Sequence, residues 1–204
     1  PSRVLRKKVV IHLHGSEFQE FYRQSNWMMR TLIRFCLADV DCAIVLGERL
    51  RGVFGDLIPS SRIKVVPNFF PVHPRAVLGS REKSDNSAIR VLFLGSLKPR
   101  KGYLNIIQAI PEIRRFEPRV EYVFAGETCD QECYREAIHY IQANGLEDCV
   151  EFTGPVYGEE KYEIYNSSDI FCFVPNKPEG QPLVIMEAMS CGLPVVSTDT
   201  GAIS

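Results

Sequence analysis

The chain has 204 residues, 45% of them hydrophobic and 24% charged, with a formal net charge of −1. That composition is ordinary for a globular protein able to bury a core, and the length lies between one large domain and two small ones. The charge balance excludes the basic footprint of a nucleic-acid binder, and no apolar run approaches the ~18 residues that a membrane span requires.

In chain order, the basic residues Arg3, Arg6, Lys7 and Lys8 lead into an apolar run over 9–13 that reads as a strand. The basic run is a solvated lead-in on the first reading, and a peripheral membrane-surface contact on the second. No secretory leader is visible, and the chain looks cut at both ends. The pattern over 17–37 predicts one long helix, and 42–46 and 63–66 predict further strands. This is too little for a whole domain, so 1–72 reads as the C-terminal part of a truncated Rossmann-like domain. The stretch 73–87, rich in Pro, Ser and charge, reads as a linker.

From residue 88 the alternation is regular. Strands are expected at 89–94, 120–124, 150–152, 169–174 and 194–197. Between them, Tyr103, Ile106, Ile107, Ile110 and Ile113 recur at helical spacing, and helices are expected at 131–143, 159–165 and 182–190. Continuous apolar strands alternating with amphipathic helices predict an α/β, doubly wound parallel sheet over 88–204, truncated at its end. Ligands of such sheets bind where strands run out into helices, which directs attention to the loops 95–102, 125–130, 154–158 and 175–181. The seven cysteines are an odd number without paired Cys-x-x-Cys spacing. They read as free thiols in a reducing, cytoplasmic compartment rather than as disulfides or a metal site.

Three constellations carry chemistry. In 178–189 the helix beginning near Pro182 is apolar or small at nearly every position except Glu187. A lone carboxylate there either emerges at a rim or binds something polar, such as ligand hydroxyls. Glu179 precedes the helix start, where exposed backbone N–H groups favour a negative charge. The second, Gly95-Ser96-Leu97-Lys98-Pro99-Arg100-Lys101-Gly102, joins a strand to a helix start. Amides and cations so placed attract phosphate, though the loop taken alone favours a solvated basic turn. The third is His14, in His-Leu-His-Gly-Ser after the first strand.

Two glutamates separated by seven residues, in the frame Glu179-Gly-x-Pro-Leu-x-x-x-Glu187-Ala-Met-x-Cys-Gly-Leu-Pro-Val-Val, resemble the signature of the retaining glycosyltransferase family 4. The loop over 95–102 resembles the same family's Gly-Arg-Leu-x-x-x-Lys-Gly segment, with Lys101 on its Lys and Ser96 in place of its Arg. Arg and Lys differ in geometry, so Lys98 or Arg100 would compensate only in part. Smaller matches are the stretch 38–45, Val65-Val66-Pro67-Asn68, Phe124-Ala125-Gly126-Glu127 and Phe152-Thr153-Gly154.

The resemblance implies a GT-B fold of two Rossmann-like domains. It implies transfer of a sugar from a nucleoside-diphosphate sugar to a saccharide, lipid-linked or other hydroxyl acceptor, with retention of configuration and no metal or other cofactor. It assigns Glu187 to the ribose hydroxyls and Glu179 to the donor sugar or its anomeric surroundings. Gly180, Gln181, Pro182 and Leu183 form the stretch whose backbone meets sugar and phosphate. Gly95, Ser96 and Lys101 fall at the diphosphate, Val156 at the nucleobase and His14 facing the donor sugar. The catalytic set expected is Glu179, His14 and Lys101. Two rivals stand beside it: another enzyme of the same fold (an inverting transferase or an epimerase), and a nucleotide-binding module without catalysis, which Ser96 would suit. A two-domain cleft needs both walls, so residues 1–204 alone are expected to be a poor catalyst.

Overall fold

The computed structural model describes residues 7–72, 76 and 87–203. The first basic positions and most of the expected linker, all but Ala76 and Ser87, lie outside the described residues. The chain forms two compact units. One joins the described part of Pro1–Phe69 to Pro178–Pro182 and Asp199–Ser204; the other holds Phe70–Lys177 and Leu183–Thr198. Two short segments expected with the second domain therefore cluster with the first.

The first unit is built on a parallel three-stranded sheet, β1 (Val10–Leu13), β2 (Cys42–Val45) and β3 (Ile63–Val65), in the order β1-β2-β3. Between β1 and β2 the single expected helix is instead two, α1 (Phe18–Gln24) and α2 (Trp27–Leu37). The break is a capping event. Ser25 is extended and its hydroxyl donates to the Phe21 carbonyl, while the Asn26 side chain accepts from the Met29 amide at 2.9 Å. An Asn cap satisfies a donor that a continuing helix would spend on its own backbone. Two 3₁₀ segments that the sequence pattern did not indicate, Glu48–Leu57 and Ser60–Arg62, follow β2. Val40, Ala43, Val45, Leu46, Leu50, Val53, Phe54, Ile58 and Ile63 form the core.

The second unit carries β4 (Ile89–Leu94), α3 (Tyr103–Phe116), β5 (Val120–Ala125), α4 (Gln131–Ala143), β6 (Val150–Gly154), α5 (Gly158–Ser167), β7 (Ile170–Phe173), α6 (Leu183–Ser190) and β8 (Val195–Ser197). All pairings are parallel, in the order β6-β5-β4-β7-β8. The strands run apolar because both sheet faces are covered, as expected for a parallel sheet. Phe93, Phe124, Phe171 and Phe173 are all within 1% of full burial. Phe93 stacks on Phe173 with centroids 5.8 Å apart and lies 5.9 Å from Phe124. Asp130 caps α4 by accepting from the Cys133 amide, a bond that holds its carboxyl below the usual range.

Tyr103 and Tyr122 are buried with hydroxyls that find no hydrogen-bond partner among the described residues. Burial first, and nearby negative groups second, push both phenols up from 10.0 to about 12. A phenol held neutral in the fold binds its proton where the unfolded chain has released it. Stability from these two groups is therefore complete below pH 10 and is lost as pH rises through 12. Urea unfolding of the whole protein between pH 9 and 12 should show a falling midpoint whose slope is reduced in Tyr103→Phe/Tyr122→Phe.

Candidate functional site

The parallel sheet of the second unit sends the ends of β4, β5, β6 and β7 out along one edge. After β4 the ladder continues into the loop: Gly95 donates to the Ala125 carbonyl at 2.9 Å and Leu97 to Glu127 at 2.8 Å. Gly126 donates in turn to Gly154 at 2.8 Å. These bonds lock three loops side by side around a cavity of about 220 Å³ lined by Gly95, Ser96, Gly126, Glu127, Pro155, Val156 and Tyr157, among others. Three sequence-expected residues, Gly95, Ser96 and Val156, thus meet in one cavity. A larger cavity, about 520 Å³, lies against the sheet between α3 and β7 and is lined almost wholly by apolar side chains such as Val91, Ile106, Val120 and Ile170. Size does not mark the polar site here.

Lys101 ends the 3₁₀ turn Pro99–Lys101 that feeds α3. Its Nζ lies 5.5 Å from the centroid of the Phe173 ring, a cation–π distance that holds the ammonium beside the end of β7. The turn is tied to the loop after β7 as well: Asn176 donates its amide to the Arg100 carbonyl at 3.1 Å. Gly102 caps α3 at φ +86°, and a Cβ there would overlap the Val174 carbonyl oxygen. Only glycine lets the chain turn left-handed and lie this close to β7. Among the described residues no side chain caps this helix start, an arrangement in which the first-turn amides can meet an anion.

Glu187 is buried, at 6% exposure. The sequence allowed it a rim position or a polar ligand; the structure supplies a third arrangement. Lys161 Nζ donates to its Oε1 at 2.6 Å, and the Tyr165 hydroxyl lies 3.0 Å from Oε2. Both partners come from α5, one helical turn apart. Sequence inspection missed them, although a Lys and a Tyr at i and i+4 share a helix face. Leu183, the first residue of α6, is exposed.

In the first unit, Pro178–Pro182 packs beside the turn after β1. The Ser16 hydroxyl donates to the Pro178 carbonyl, and a Cβ on Gly180 would overlap the His14 carbonyl oxygen. Asn68 donates its backbone N–H to Gln181 Oε1 at 2.6 Å and its side-chain amide to the Gln181 carbonyl at 3.1 Å. The Glu179 carbonyl accepts from Ala202 at 3.1 Å, and Glu179 itself is 8% exposed. His14, Glu179, Gly180, Gln181 and Pro182 are therefore one local assembly. The exposed ring of His14 stands 4.0 Å from that of His12. Among the described residues no group of three or more His, Cys, Asp or Glu could hold a metal ion.

The family model described as "Glycosyl transferases group 1" matches residues 88–204. Among curated relatives, the phosphatidylinositol N-acetylglucosaminyltransferase gpi3 subunit of Schizosaccharomyces pombe is 28% identical over 177 residues, covering 84% of this chain and 37% of that protein. The D-inositol 3-phosphate glycosyltransferase of Paenarthrobacter aurescens is 29% identical over 148 residues, covering 72% and 35%. Among solved structures, Anabaena Alr3699/HepE in complex with UDP superposes with a TM-score of 0.81 at 22% identity, covering 98% of this chain and 56% of that one. The sucrose-phosphate synthase of Thermosynechococcus elongatus gives 0.77 at 18%, covering 100% and 54%. These neighbours show the GT-B fold, and the chain spans well under two thirds of the relatives it matches.

The close approach at Gly102 makes a direct test. Gly102→Ala adds a carbon where the Val174 carbonyl stands and imposes a strained φ. It should destabilise the whole protein by about 2–4 kcal/mol, read as a lower midpoint in urea unfolding.

Proposed function

Since the chain belongs to the glycosyl transferases group 1 family, we propose that the whole protein transfers a sugar from a nucleoside-diphosphate sugar to an acceptor hydroxyl. The observation that carries this is the helix start at Gly102, which no described side chain caps, with Lys101 held beside it on Phe173, together with the cavity formed by the loops after β4, β5 and β6. In the reaction the anomeric carbon exchanges its phosphate oxygen for the acceptor oxygen, and negative charge builds on the departing diphosphate. Fixed cations and helix-start amides are worth most where such charge develops. In this reading Lys101 and the first turn of α3 receive the diphosphate, and the cavity around Ser96 and Val156 receives the nucleoside.

Glu187 accepts from the ribose hydroxyls, and Glu179 with His14 addresses the sugar. Gly180, Gln181, Pro182 and Leu183 supply the backbone around sugar and phosphate. Retention of configuration and independence of metal belong to the same reading: the lysine and the helix dipole neutralise the charge that a divalent cation would otherwise meet. The donor complexes of the solved neighbours contain UDP or UDP-glucose, and several relatives are named for inositol-containing acceptors. A uridine donor and a polyol or lipid-linked polyol acceptor are the first to try. A cytoplasmic, membrane-peripheral location fits the seven free thiols and the absence, among the described residues, of any helix long and apolar enough to cross a membrane.

One observation favours a second reading. Ser96 carries no charge where the resembling motif has Arg, which suits a module that binds nucleotide without transfer. Calorimetry with UDP, GDP and ADP alongside a turnover assay separates the two, since binding without turnover favours the module. In an active whole protein, Lys101→Ala should cost about 3 kcal/mol of transition-state stabilisation, a loss of roughly two orders of magnitude in kcat/KM. Unchanged donor affinity and rate in that variant would refute the diphosphate assignment.

A further inference from the structure

Glu187 sits on α6, and both of its side-chain partners sit on α5. Lys161 Nζ donates to one carboxylate oxygen at 2.6 Å, and the Tyr165 hydroxyl reaches the other at 3.0 Å while lying 3.1 Å from the Val184 carbonyl. Tyr165 is fully buried, and the side chains of Lys161 and Glu187 are 22% and 8% exposed. Burial, then the charge of Glu187, pushes the Tyr165 phenol well above its ordinary value, so it remains a donor. Lys161 also passes 5.4 Å from the Tyr162 ring centroid, which steadies its ammonium.

Two donors on two different oxygens fix the rotation of the carboxylate. An ionised carboxylate offers about four acceptor positions. Lys161 and Tyr165 take one on each oxygen and leave one on each. A fixed carboxylate with a position open on each oxygen is a two-point acceptor for a vicinal diol.

We propose that Lys161 is a positioning residue that, together with Tyr165, holds Glu187 as a two-point acceptor for the ribose 2′- and 3′-hydroxyls of the donor. This rests on the donor-site reading above. The ribose is remote from the breaking bond, so its contacts are equally strong before and at the transition state. Loss of such uniform binding raises KM and leaves kcat. A lysine that only neutralised a buried charge would change stability and would treat ribo- and deoxyribonucleotides alike.

The experiment measures binding of UDP, GDP and ADP, and of their 2′-deoxy counterparts, to the whole protein and its Lys161→Met, Lys161→Gln and Glu187→Gln variants. The wild type should prefer the ribonucleotide about tenfold or more, as expected for a hydroxyl bound to a charged acceptor. Lys161→Met should shrink the preference to about twofold and raise donor KM while kcat stays within about twofold. Lys161→Gln keeps a neutral donor beside the carboxylate and so protects the fold; it should reduce the preference about threefold. An unchanged preference in either lysine variant, with Glu187→Gln having lost it, overturns the role of Lys161 alone. An unchanged preference in Glu187→Gln removes Glu187 from the ribose site. Failure of the wild type to bind any of the three nucleotides overturns the donor-site reading and this inference with it.

Discussion

In a sheet whose five strands are all parallel, each strand leaves by the same edge, and the turns after Leu94, Ala125, Gly154 and Phe173 are brought to one end. Parallel pairing also demands that both faces be covered, which is why these strands run apolar without alternation. The remaining polar chemistry is pushed into the turns. The cavity at Ser96 and Val156, the helix start at Gly102 and the ammonium of Lys101 are consequences of that single constraint. The hydrogen bonds from Gly95 to Ala125, Leu97 to Glu127 and Gly126 to Gly154 extend it beyond the strands, turning three loops into a continuation of the sheet. A site lined by such loops is preorganised, because moving one loop breaks the backbone bonds of its neighbour.

The buried carboxylate of Glu187 shows the opposite economy. A charge in an apolar helix is tolerated only when neighbours satisfy it, and removing one partner of a buried pair is far costlier than never having had the pair. Here the helix α5 supplies both partners, and each is itself anchored: Tyr165 against Phe171 at 5.8 Å, Lys161 beside Tyr162. Such an arrangement contributes little net stability compared with an apolar contact of the same volume. In the donor-site reading proposed above, its use lies in what the carboxylate can still accept.

Much of this fold was legible in the sequence. The strand 89–94 and the helix 131–143 were read to the residue, because a continuous apolar run and a helical pattern closed by Asn144-Gly145 leave little choice. The helix expected over 17–37 was not, since its apolar period continues through Ser25-Asn26 while the local capping bonds end it. The 3₁₀ stretch Glu48–Leu57 was invisible for a related reason: its two pieces, separated by the non-helical Gly55, present no single period. For the candidate site, the loops and the two glutamates could be picked out by position. The partners of Glu187 could not, because a Lys and a Tyr on one helix face look like any amphipathic turn until a second helix is laid against them.

The motif from Glu179 to Glu187 gains a physical reason for its density from where the chain divides. Pro178–Pro182 belongs to the first unit and Leu183–Thr198 to the second. The short loop must fit the His14 carbonyl, Asn68 and Ala202, which leaves no room for a side chain at Gly180 and fixes Gln181 by two bonds to Asn68. Immediately afterwards the helix must fit the second sheet, burying Ala188 and Cys191 and delivering Glu187 to Lys161 and Tyr165. A stretch answering to two sets of neighbours within a dozen residues has few free positions. Each glutamate is therefore specified by a different unit, and the spacing between them is the length of chain needed to finish one set of contacts and begin the other.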